Sequence, residues 1–148
     1  MEGEKYRRVA NKILKVCLDF SEDVGTSLAL AAGEKPSSPT IANTATASGV
    51  NLYIYSAVLL KEMLRKRITD DEEFKASVFM MERAFADELK MSYSDFSDVV
   101  GQANRGSLEQ RIRSFQGAVN IGDYTKRILM ILSDFEFERL LRRNGMLK

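Results

Sequence analysis

From Pro36 to Leu60 the chain runs for 25 residues without a charge, although 29% of its 148 residues are charged. Surfaces in contact with water are rich in Lys, Glu, Arg and Asp, so an uncharged segment of this length is expected to be covered. The cover is the chain's own helices, a second copy of the chain, a partner protein or a membrane. Each implies a different function.

The membrane fits this segment least. Thr40, Asn43, Thr44, Thr46, Ser48 and Asn51 dilute it, and only Leu52 to Leu60 is strongly apolar. A helical span needs about 20 predominantly apolar residues. Lys61, Arg65, Lys66 and Arg67 follow at once and resemble the cytoplasmic flank of a span, but the span itself is missing. Ala, Ser, Thr and Gly instead suit helices that approach one another closely.

The rest of the chain reads as helix. Tyr6, Ala10, Ile13, Cys17, Phe20, Val24, Leu28 and Ala31 recur every three or four residues and form one stripe, ended by Gly33. That stripe is either a core-facing helix or an intermolecular seam; Ala, Cys and Phe suit a seam less well than Leu, Ile and Val. Ser38-Pro39 has the form of an N-cap followed by Pro at the first helical position. Beyond it Ile41, Ala45, Ser48, Leu52, Tyr55, Leu59 and Met63 keep the helical step, so a helix to about Arg67 is consistent with the spacing. The poor helix formers Thr40, Thr44, Thr46, Ser48 and Gly49 oppose its first part. The helix is therefore expected over Leu52 to Ile68, with residues 36–50 as a loop or an interface helix.

Three stretches, Thr69 to Glu72, Ser107 to Gln110 and Ser133 to Glu136, match the capping box that opens a helix. Stripes follow through Phe74, Val78, Met81, Phe85 and Leu89, through Phe96, Val99 and Val100 after Ser92 or Ser94, and through Leu108, Ile112, Phe115 and Val119. Ile128, Leu129, Ile131, Leu132, Phe135, Leu140 and Leu141 complete a C-terminal pair. Only NLYIYSAV alternates in a way that fits a strand. At 16.7 kDa the expectation is an all-α fold, a single-domain bundle of five to seven helices over residues 1–148.

Several chemistries are excluded by composition. There is no histidine and one cysteine, so Ser-His and Cys-His nucleophilic sites and Cys/His zinc sites cannot be assembled within one chain. Neither GxxxxGK[ST] nor GxGxxG occurs. Asp70, Asp71, Glu72 and Glu73 stand where a helix start favours acids and point in different directions, which argues against a cation site. No cofactor, metal or enzymatic activity is expected. Cys17 as the lone cysteine, and an N-terminus without a signal-peptide pattern, point to a cytoplasmic setting.

A net charge of +1 supplies no global attraction for nucleic acid. Residues 94–115 nevertheless have the rhythm of a helix-turn-helix, with Arg105, Arg111 and Arg113 on the second helix and Gly101 or Gly106 at the turn. Asp95, Asp98 and Glu109 lie beside that surface, so an ordinary helical hairpin is favoured. MMERAFADELKMSYSDFSDVV, followed later by ILSDFEFERLLRRNG, also resembles the C-terminal half of the BART-like domain, a helical domain that binds Arf-like small GTPases. Nothing before about Asp70 matches that domain's first helices.

The expected function is a non-catalytic helical subunit that assembles with itself or binds another protein, with Ile41, Ala45, Tyr53 and Tyr55 as interface residues. The alternative is association with nucleic acid through Arg105, Arg111, Arg113, Lys126 and Arg127, as a coat or small complex subunit.

Overall fold

A computed structural model describes residues 2–114 and 119–143, with side chains described for residues 3–114 and 119–136. Six helices are formed among them: α1 (Glu2–Ala32), α2 (Pro39–Arg67), α3 (Asp71–Glu88), α4 (Tyr93–Gln102), α5 (Arg105–Arg113) and α6 (Ile121–Arg143). No strand is present among the described residues, and NLYIYSAV lies inside α2. The all-α expectation is met.

The first two helices form a long hairpin. Gly33, with φ of 66°, terminates α1 in the left-handed conformation that glycine adopts without a Cβ penalty. Pro39 opens α2 at its first position, where a missing N–H costs nothing. The hairpin is antiparallel, since Ala45 of α2 lies against Gly25 and Gly49 against Cys17. Residues 39–50 are thus helix, despite their poor propensities, because contact with α1 outweighs a local preference of a few tenths of a kcal/mol per residue.

The other helices pack around this hairpin. On α1, Tyr6 meets Phe135 at a ring separation of 5.3 Å and Phe20 meets Tyr124 at 5.2 Å, which sets α6 antiparallel along one flank. On the other flank, Asn11 donates to Glu88 of α3. The C-terminal half of α2 reaches α3, α4 and α5, and Tyr53 stacks near both Phe85 and Phe96 at 5.1 and 6.1 Å. Phe20, Tyr53, Phe85, Phe96, Leu52, Leu60 and Leu64 are among the fully buried side chains. Each contributes about 1.5–3 kcal/mol by leaving water.

The three capping boxes open no helix at the expected residues. α3 is capped by Asp70, one residue after Thr69, whose carboxylate accepts from the Glu73 N–H at 2.9 Å. α5 starts earlier than Ser107, because Asn104 accepts from the Ser107 N–H and caps Arg105–Arg113. Ser133 lies inside a continuous α6, since Ile128, Leu132 and Phe135 keep one buried stripe across it. The expected C-terminal pair is one helix. Phe115 lies outside the described residues, as do the side chains of Leu140 and Leu141.

Candidate functional site

The uncharged segment is covered largely by the chain itself. Leu52, Tyr53, Ser56, Ala57, Val58, Leu59 and Leu60 are all buried. Tyr53 has no exposed surface, and its hydroxyl donates to the Phe85 carbonyl at 2.8 Å. Burial raises the Tyr53 phenol well above its ordinary range, with the nearby Cys17 and Glu88 adding to the effect. As a site for an incoming partner Tyr53 is therefore corrected, because it already joins α2 to α3.

In the first half of α2 burial is confined to one stripe, Ile41, Ala45, Ser48 and Gly49, which faces α1. A Cβ on Gly49 would stand 3.0 Å from the Cys17 carbonyl oxygen and 3.1 Å from the Ser21 Cβ. One on Gly25 would lie 3.3 Å from the Ala45 Cβ. The Ala45 carbonyl accepts from the Ser21 hydroxyl at 2.7 Å and from the Ser48 hydroxyl at 2.6 Å, so a side chain of α1 is tied directly to the α2 backbone. Ile41 and Ala45, expected at an interface with another molecule, are instead covered by α1.

The opposite side of this half is exposed. Thr40, Asn43, Thr46, Ala47 and Val50 face solvent without a charge among them. This is the uncharged surface that the fold leaves open.

Tyr55, the fourth expected interface residue, is half-buried at the α5 contact. Its hydroxyl donates to Glu109 at 3.1 Å, and Arg105 donates to the same carboxylate at 3.2 Å and to Glu62 at 3.2 Å. Burial and the Glu109 carboxylate both hold the Tyr55 phenol above its usual range. Tyr55 and Arg105, drawn from the two competing functional readings, thus belong to one network joining α2 to α5.

The remaining cations of the nucleic-acid reading are dispersed. Arg127 donates to Asp19 of α1 at 2.8 Å and stacks over Tyr124. Arg111 borders a cleft of about 250 Å³ with Ile54 and Val99, whereas Arg113 borders a groove of about 380 Å³ with Tyr55 and Thr125. Lys126 is exposed on α6. Of the basic residues after the charge-free run, Arg65 pairs with Asp71 at 3.1 Å and lies over the Phe74 ring, and Arg67 pairs with Glu136.

Cys17 and Glu82 are titratable groups held inside the fold. Cys17 is 2% exposed, and burial pushes its thiol far above the normal range, which keeps it protonated and unreactive. Glu82 is 3% exposed, accepts from Ser97 at 3.1 Å through Oε1 and has no partner at Oε2. Desolvation raises its pKa against the opposing influence of Lys61 and Ser97. Sequence reasoning passed over Glu82; Met81, Ala84, Phe85 and Ala86 around it were the available signal.

Among the described residues no three Cys, Asp or Glu side chains gather where a metal could be held, and no helix is long and apolar enough to cross a membrane. No family model, curated protein or solved structure matches this chain.

Proposed function

We propose that this chain is a non-catalytic helical subunit that works by protein contact, with itself or with another protein. The observation that supports this reading is the outward side of α2 between Thr40 and Val50. Its inward stripe is already covered by α1, yet the outward side is uncharged over three turns. A solvated helix face ordinarily carries charged residues, and a surface depleted of them is typical of the centre of an interface. Ala47 and Val50 supply apolar area there, and Thr40, Asn43 and Thr46 supply hydrogen-bonding groups that tolerate both water and a partner.

The test is the solution molar mass, with and without nucleic acid, across a wide concentration range. Association should persist at high salt, because an uncharged face is insensitive to screening, and Ala47→Glu should weaken it while leaving the helical circular dichroism signal intact. A mass that stays at 16.7 kDa alone and rises only on adding nucleic acid would contradict the proposal.

A further inference from the structure

On the side of α1 turned away from the core, exposed charges from Arg8 onward are sorted by sign. Arg8, Lys12 and Lys15 follow Glu4, then come Asp19, Glu22 and Asp23, all at helical spacings that keep them on one ridge, about 22 Å long from Arg8 to Asp23. Within one helix this order is unfavourable. Arg8–Lys12, Lys12–Lys15, Asp19–Glu22 and Asp19–Asp23 are like-charged neighbours three or four residues apart, against two opposite pairs, Glu4–Arg8 and Lys15–Asp19. Like-charged neighbours at these spacings destabilise a helix by about 0.2–0.5 kcal/mol each, so alternating signs would serve the monomer better. Arg127 of α6 reaches Asp19 alone, which leaves Glu22 and Asp23 as the acidic end of the row.

We infer that this ridge pairs with the same ridge of a second copy of the chain, antiparallel about a two-fold axis. The inference rests on the reading of the chain as a protein-contact subunit and adds to it a second surface, apart from the outward side of α2, with a second copy of the chain as its partner. A two-fold axis makes an interface from one patch used twice, and it sets the basic half of each ridge against the acidic half of the other. A parallel arrangement would superimpose like charges. An acidic or basic foreign partner would match only half of the row. Each exposed pair contributes no more than about 1 kcal/mol, so the charges fix orientation and register and make the association sensitive to salt. The uncharged side of α2 lies outside this pairing and stays available for other contacts.

The test uses the full chain and two double variants, Lys12→Glu with Lys15→Glu and Glu22→Lys with Asp23→Lys, followed by sedimentation at low and high salt. All four positions are exposed, so the helical signal should be unchanged in both. The wild type should associate more strongly at low salt, and that salt-dependent part of its association should vanish as salt is raised. Each variant alone carries one sign over most of the ridge, with Arg8 or Asp19 as the residue of opposite sign, and should associate about tenfold more weakly. Mixed in equal amounts, the two variants should restore the dimer, because acidic ridge then meets basic ridge. A wild type that is monomeric at low salt, or a mixture that fails to associate, overturns the inference. Association that is indifferent to salt and to both double variants but is lost in Ala47→Glu also overturns it, while leaving the proposed function standing.

Discussion

In α2, every residue from Ser56 to Leu60 is buried, whereas between Pro39 and Val50 only the four residues that face α1 are. Both stretches, Pro39–Val50 and Ser56–Leu60, lack charge, and the causes differ. The second is enclosed by the other helices that α2 contacts, α1, α3, α4 and α5, so a charge at almost any position would lose its water. In the first half, charge is excluded by packing only along the stripe at Ile41, Ala45, Ser48 and Gly49. There the demand is for smallness, because the two backbones approach closely enough that a Cβ at Gly49 would press on a carbonyl. Absence of charge therefore marks a core in one half and a close helix crossing with an open back in the other.

The largest effect should come from the enclosed half. Tyr53→Ala removes a ring with no exposed surface and leaves the Phe85 carbonyl without its side-chain donor, and should cost about 3–5 kcal/mol in urea unfolding. Tyr53→Phe keeps the ring and loses only the hydrogen bond, about 1 kcal/mol. Equal costs for the two would show that the ring is not enclosed as described.

Gly49→Val probes the close crossing. Helix propensity alone favours the change, but the new side chain meets the Cys17 carbonyl and Ser21, and the net cost should be about 1–3 kcal/mol. A stabilised variant would show that the hairpin contact is loose.

Glu82 measures what enclosure does to a charge already present. Its carboxyl is raised in the folded state, so its contribution to stability is fully present below the ordinary glutamate range and is lost as pH rises through the folded pKa. Glu82→Gln retains an acceptor for Ser97 and should raise stability near neutral pH by about 1 kcal/mol, with the gain vanishing in acid. Stability profiles of the two proteins that run parallel from acid to neutral pH would contradict this.

Much of the fold was legible because apolar spacing is a property of the sequence itself. The Tyr6 to Ala31 stripe ending at Gly33 became α1, and Ser38-Pro39 marked the start of α2. Cap positions were less legible, because Asp70 and Asn104 compete with Thr69 and Ser107 and only the folded backbone decides between them. The expected contact residues were the least legible. Periodicity identifies Ile41 and Ala45 as members of a covered stripe that takes in Tyr55 and passes over the fully enclosed Tyr53, and whether the cover comes from the same chain depends on where α1 and α3 lie. The outward residues Asn43, Ala47 and Val50 were visible in the same pattern as its complement.

The contrast between the halves is tested most directly by placing the same charge in each, as Ala57→Lys and Ala47→Lys. Both replace alanine within α2, so helix propensity is matched and only surroundings differ. Ala57 has no exposed surface and Ala47 faces solvent. Urea unfolding should show Ala57→Lys to be destabilised by more than about 3 kcal/mol or unfolded, and Ala47→Lys to lie within about 0.5 kcal/mol of the wild type. Comparable losses for the two variants, or tolerance of both, would contradict the account.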